Sequence, residues 1–265
     1  MYLKTIASGS SGNCTFIGSD TTSILVDAGV SKKRICEGLA ESDHDLADID
    51  GILITHEHID HVRAVGVIAR AYGIRMYATE DTLREIRHMK QLGSYDEGLF
   101  TAISPDRTFK IGDLSVKAHS IWHDAADPVC YTVSHGDKKI SVATDMGDYD
   151  DYLVSCLMDS DAMVIEANHD VHMLEVGPYP YELKRRILGK RGHLSNEAGG
   201  RLIKRILNSH VKAIYLGHLS KENNLPELAY ETVKWELRDN PYSNDVRDFH
   251  LSVAKRDNAG ELITI

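Results

Sequence analysis

A chain of 265 residues that is 42% hydrophobic can bury a substantial core, and it suits one α/β domain of the larger kind over residues 1–265. No stretch approaches the roughly eighteen uninterrupted apolar residues of a membrane span. Met1-Tyr2-Leu3-Lys4 meets a strand pattern with no charged-then-apolar leader, so the expectation is a cytoplasmic protein. The net charge of −10 argues against nucleic acid at first sight, but much of that acid lies in surface-like runs such as Asp148-Tyr149-Asp150-Asp151, and local charge outweighs the sum.

Leu3 to Ala7 reads as a strand, followed by the small-residue loop Ser8-Gly9-Ser10-Ser11-Gly12-Asn13. That loop is either a flexible hairpin or a nest of backbone amides able to approach a phosphate. Thr15 to Ile17 and Ser23 to Val26 are strands, and Asp27 then ends the second of them as a carboxylate placed to brace other residues. Ser31 caps a helix to about Ala40. Ile52, Leu53 and Ile54 form a short buried strand, and directly after it come His56, His58, Asp60 and His61. An extended backbone points His56 and His58 the same way. One ion needs three or four ligands, so this density after a strand reads as half of a two-metal site.

Helical spacing runs from Val62 to about Tyr72, Ile74 to Ala78 is a strand, and Asp81 to Leu92 is an amphipathic helix whose His88 faces solvent. Strands flank the turn at Gly112-Asp113. His119 lies in strand alternation as a core or surface histidine, whereas His123 follows on a loop leaving the strand and is expected to be a metal ligand. Val129 to Ser134 and Lys139 to Ala143 pair across a turn, and the second strand ends in Thr144-Asp145-Met146-Gly147, well placed to offer a carboxylate to two cations. Asp150 to Met158 is a helix and Ala162 to Glu166 a strand. His169, in Glu166-Ala167-Asn168-His169-Asp170, could be a ligand, a substrate contact or a loop histidine. Tyr181 to Leu188 reads as helix, and Lys184, Arg185, Arg186, Lys190 and Arg191 lead into Gly192-His193-Leu194-Ser195, where Ser195 caps the next helix. This basic run is either a solvated face or a track for nucleic acid beside a helix N-terminus that favours phosphate. Val211 to Leu216 is the last strong apolar strand and exits at His218. Pro226 opens a helix, and Phe249 to Val253 and Leu262 to Ile265 finish as strands. The four cysteines show no C-x-x-C spacing and are expected reduced, leaving histidine and carboxylate as the ligands.

His-x-His-x-Asp-His after an apolar strand resembles the signature of the metallo-β-lactamase superfamily. The Gly-Ser-x-Gly-Asn loop and His123-Asp-Ala-Ala-Asp-Pro resemble its bacterial YycJ (WalJ) branch in particular. The resemblance implies a four-layer αββα sandwich. It also implies two divalent ions, Zn2+ or Mn2+, held by His56, His58 and His123 on one side and Asp60, His61 and His218 on the other, with Asp145 bridging. Members of that branch are 5′→3′ DNA exonucleases linked to mismatch repair, so a DNA-binding phosphodiesterase is expected, with His193, oriented by Glu166, and Asp60 as catalytic groups. The substrate contacts implied are Ser10, Asn13, His169, Arg191, His193 and Ser195. Two rivals stand beside this reading. One is a small-molecule hydrolase of cyclic phosphodiesters or thioesters, marked by a cap domain or the lack of a basic track. The other is a non-catalytic metal-binding regulator, which needs a broken ligand set.

Overall fold

The computed structural model describes residues 1–242 and 249–265. Its first sheet holds β1 (Tyr2–Ala7), β2 (Cys14–Gly18), β3 (Ser23–Val26), β4 (Gly51–Leu53), β5 (Met76–Thr79), β6 (Phe100–Ile103) and β14 (Ile263–Thr264), in the order β14-β1-β2-β3-β4-β5-β6. The second holds β7 (Thr108–Ile111), β8 (Leu114–Ser120), β9 (Val129–His135), β10 (Lys138–Ala143), β11 (Ala162–Glu166), β12 (Ala213–Gly217) and β13 (His250–Val253), in the order β13-β12-β11-β10-β9-β8-β7. Both mix antiparallel and parallel pairs, which bears out the expected α/β class.

Contact density divides the chain into two compact units with interleaved segments: 1–120, 125–137 and 255–264 in the first, and 121–124, 138–254 and 265 in the second. In the first unit β3, β4, β5 and β6 run parallel, with Leu25 opposite Ile52 and Ile52 opposite Met76. Strands buried on both faces read as continuous apolar runs, as Ile52-Leu53-Ile54 does. The helices are α1 (Lys32–Ala40), capped by Ser31 onto the Arg34 amide, α2 (Ile59–Val62), α3 (Val65–Tyr72) and α4 (Glu80–His88). Phe16, Leu25, Ile35, Ile52, Ile68 and Leu83 belong to one apolar core. The helix read over 81–92 ends early, at His88. Met89 leaves helical backbone, and a separate 3-10 turn covers Lys90–Leu92 before Gly93 in positive φ.

The second unit alternates strand and helix, and β10, β11, β12 and β13 are parallel, with Val142 opposite Val164 and Ile165 opposite Leu216. Its helices are α5 (Asp151–Leu157), α6 (Val171–Val176), α7 (Tyr181–Leu188), α8 (Asn196–Ile206) and α9 (Pro226–Glu236). α8 buries Leu202, Ile203 and Ile206, and α9 buries Ala229 and Val233. In parallel sheets, ligand-binding residues gather beyond the carboxyl ends of the strands. Asp145 follows β10, Glu166 ends β11 and His218 follows β12, so sheet topology alone brings these three together. No helix of the described residues is long and apolar enough to cross a membrane.

Candidate metal centre

In the first unit the donors are organised by Asp27. Its backbone is left-handed (φ 63°), and it is 2% exposed. A non-glycine residue in that region is uncommon and tends to persist where surrounding structure holds it. One carboxylate oxygen accepts the Thr55 amide at 2.9 Å, and the other accepts His61 Nδ1–H at 2.7 Å and the Thr55 hydroxyl at 2.9 Å. Since that hydroxyl donates to Asp27, it accepts from His56 Nδ1, 3.0 Å away. The carboxylate therefore sets both imidazoles, one directly and one through Thr55, and leaves Nε2 of each as the ring's acceptor. Such a carboxylate–histidine brace is the usual support of a metal-binding imidazole.

His56 Nε2 and His58 Nδ1 stand 3.1 Å apart, with the rings at 81°. Two ligands at the tetrahedral angle on bonds of roughly 2.0–2.1 Å are about 3.3 Å apart. The pair thus has the spacing a shared cation requires. Asp60 Oδ2 lies 3.7 Å from His61 Nε2. Gly29 makes the loop possible: a Cβ there would come within 1.6 Å of the Asp60 carbonyl, which accepts the Asn13 amide at 2.8 Å.

Ser10 is exposed on the small-residue loop, with the Arg256 guanidinium 3.5 Å away. Asn13 is turned inward. Its carbonyl oxygen accepts the Gly9 amide at 2.9 Å, and its Nδ2 is 3.1 Å from His61 Nε2. His119 is a core strand residue bonded to Thr132, one of the two placements expected for it.

In the second unit the hub is Glu166, fully buried at the end of β11. Its Oε1 accepts His193 Nδ1–H at 2.8 Å and His218 Nδ1–H at 3.1 Å. Its Oε2 accepts the amides of Met146 at 2.7 Å and Leu194 at 3.2 Å. Burial alone would raise this carboxyl's pKa, but the two imidazoles overcome that and hold it below the ordinary carboxylate range. Asp145 (φ 61°) places Oδ1 3.4 Å from His218, 3.8 Å from His193 and 3.9 Å from His123. His218 is also left-handed, at φ 57°, and its carbonyl accepts Asn168 Nδ2 at 2.8 Å. Asp145, Glu166, His193 and His218 offer ligand atoms all within 4.8 Å of one another.

His123 is 1% exposed and donates Nδ1–H to the Gly192 carbonyl at 3.1 Å. Burial chiefly, with help from nearby His193, keeps its pKa below the usual imidazole value, which favours the neutral ring a metal requires. Gly147 lets the chain before His193 come close. A Cβ there would meet the Gly192 amide nitrogen and the Lys190 carbonyl carbon at 2.4 Å. Arg191 is exposed, and its Nε donates to the His123 carbonyl at 3.0 Å. The Ser195 hydroxyl caps α8 by accepting the Ala198 amide at 3.2 Å. His169 bridges Ser195 in a short parallel contact, is 1% exposed, and has its pKa held down to about 4 by burial.

In both units the donor sets have the chemistry of a divalent-metal site: imidazoles whose Nδ1 is braced by a neighbouring oxygen, and carboxylates at strand exits. The braces by Thr55 and Asn168, and the second bond from Glu166 to His218, were not anticipated from the sequence. A buried polar residue directly beside a ligand at a strand exit is the signal that would have pointed to the first.

Residues 22–218 match the family model described as Beta-lactamase superfamily domain, which sets the class and, with the two mixed sheets, the αββα fold. The chain is 43% identical over 232 residues to the exodeoxyribonuclease WalJ of Streptococcus pneumoniae serotype 2 (strain D39 / NCTC 7466), covering 88% of this chain and 86% of the relative. It is 36% identical over 239 residues to the exodeoxyribonuclease YycJ of Bacillus anthracis, covering 90% of each. Among solved structures, the metallo-β-lactamase fold protein YhfI from Bacillus subtilis superposes with a TM-score of 0.72 at 15% identity, over 98% of this chain and 99% of that one. The chain belongs to the WalJ/YycJ branch of the metallo-β-lactamase superfamily.

Proposed function

We propose that residues 1–265 form a single catalytic domain that hydrolyses DNA phosphodiesters from the 5′ end, with two divalent ions, Zn2+ or Mn2+, as cofactors. The ligand assignment is carried forward from the sequence: His56, His58 and His123 for one ion, Asp60, His61 and His218 for the other, and Asp145 for both. Two dications supply, when bound, Lewis acidity that lowers the pKa of water towards neutrality and neutralises charge on a phosphoryl oxygen.

The chain's own residues position and protonate. Glu166 fixes His193 through Nδ1–H and so turns Nε2 outward. The His193 side chain is 17% exposed, against 0% for Glu166 and 3% for Asp145, so it is the member of this cluster that can meet substrate. A proton held at His193 Nε2 passes to the departing sugar oxygen. Asp27 and Thr55 hold His61 and His56 in the tautomers that ligation needs. Ser10, Arg191 and His193 are the accessible substrate contacts. Asn13, His169 and Ser195 act through the residues they hold.

The observation that carries the hydrolytic reading is the 2.8 Å Glu166–His193 pair beside Asp145 and His218. The choice of DNA rests on what the relatives are named. Placement in the cytoplasm and a part in DNA repair extend the same reading. The test is a panel of end-labelled DNA, RNA and cyclic dinucleotides with the protein loaded with zinc or manganese. Release of 5′-terminal nucleotides from DNA supports the proposal. Turnover of the cyclic substrates with DNA left intact points instead to a small-molecule hydrolase.

A further inference from the structure

Between Tyr181 and Arg191 the chain carries five cations and one carboxylate, in a protein whose net charge is −10. α7, within this stretch, has no buried residue, although Lys184 ties it down by donating to the Glu175 and Gly177 carbonyls at 2.8 Å each. The stretch ends beside Trp122. The indole is 42% exposed, and the Lys190 ammonium stands over it, 5.8 Å from the ring centroid. Trp122 is anchored to the candidate centre by its backbone. Its carbonyl accepts the Gly147 amide at 2.9 Å, and the next residue is His123, whose ring centroid lies 5.1 Å from that of His193. His123 is buried there, whereas the side chain of Trp122, next to it in the chain, is exposed.

An exposed large aromatic beside a cation, at the end of a basic run, is the arrangement by which proteins hold unpaired nucleotides: the base stacks and the cation meets its phosphate. We infer that Trp122 and Lys190 form a stacking platform for an unpaired base of the strand being cut. This inference rests on the nuclease reading above and adds to it how the end of the strand is gripped. Base–aromatic stacking is typically worth about 1–3 kcal/mol per base, which corresponds to a factor of about 5 to 150 in binding.

The test crosses two deletions. Wild-type protein, Trp122→Ala and Trp122→Phe digest one oligodeoxynucleotide, either intact or carrying an abasic residue at one of its two 5′-terminal positions. Trp122→Ala is expected to raise KM for the intact strand about 5- to 150-fold, with Trp122→Phe within about threefold of wild type. Removing the base is expected to cost the wild type a similar factor and to cost Trp122→Ala little more, since both deletions remove one contact. Two losses that multiply, or a Trp122→Ala enzyme with wild-type KM, overturn the platform while leaving the nuclease reading standing. The abasic strand on wild-type protein decides the matter even if the alanine variant folds poorly, because an unchanged KM there also overturns it. Wild-type protein that cuts no DNA sinks the nuclease reading and the platform with it.

Discussion

Replacing Glu166 by Gln removes one charge and one acceptor at the hub of the second unit. The carboxylate accepts four bonds, two on each oxygen, at 2.7–3.2 Å. A glutamine has one accepting oxygen, so its NH2 must face two donors, either both backbone amides or both imidazole N–H groups. Hydrogen bonds to a charged acceptor contribute about 1.5–3 kcal/mol each. Losing two costs about 3–6 kcal/mol gross, and because the buried charge is lost too we expect the lower end. For a chain of this size that is about 6–12 °C in Tm. If the imidazoles instead change tautomer to accommodate the amide, His218 Nε2 gains a proton and can no longer bind a cation. Turnover is expected to fall about 10²–10⁴-fold as His193 loses its orientation.

The sign of the pH effect follows from the depressed carboxyl. Its stabilisation is complete above the ordinary value of 4.5 and fades as pH falls through the lower folded value. Thermal unfolding of metal-free protein between pH 7 and pH 3, with kinetics on labelled DNA, measures both effects. A glutamine variant with Tm within about 1 °C of wild type at pH 7, and turnover within threefold, would refute the role given to Glu166.

His193→Ala is expected to cut turnover about 10²–10⁴-fold while bound metal stays at the wild-type level. Loss of metal in that variant would make His193 a ligand rather than a proton carrier. Asp27→Ala is expected to weaken metal affinity about 10–100-fold by freeing His61 and Thr55, which a chelator competition titration reads directly. Gly29→Ala places a methyl 1.6 Å from the Asp60 carbonyl, so the loop must shift, and metal binding and Tm are expected to fall together. A Gly29→Ala protein with wild-type affinity would show that the loop is looser than the structure indicates. Ser195→Ala removes the α8 cap and is expected to cost about 1 kcal/mol in chemical denaturation.

The ligand types were legible because they cluster at strand exits. His56, His58, Asp60 and His61 fall within six positions, and Asp145, Glu166 and His218 each close an apolar run. Helix starts were legible where a side chain caps locally, as at Ser31, Asp150 and Ser195. β6 and α6 were missed. β6 is a four-residue strand with no fully buried member, and α6 is a six-residue helix with one buried residue, so neither shows enough periods of its pattern. The inward turn of Asn13 could not be read, because its partners Asp60 and His61 lie 47 and 48 residues away. For the same reason Glu166 read as a partner of His193 alone. The bond to His218 spans 52 residues and exists only because β11 and β12 are adjacent parallel strands.

The central claim is that histidines and carboxylates gathered from distant segments hold two divalent ions that the hydrolysis needs. Metal per chain, measured by inductively coupled plasma mass spectrometry on protein titrated with zinc or manganese and plotted against DNA cleavage, tests it directly. Activity is expected to rise with metal and level off at two ions per chain, with Asp145→Ala retaining at most one and cleaving nothing. Full cleavage by protein stripped of metal, or a chain that binds none, would contradict the account.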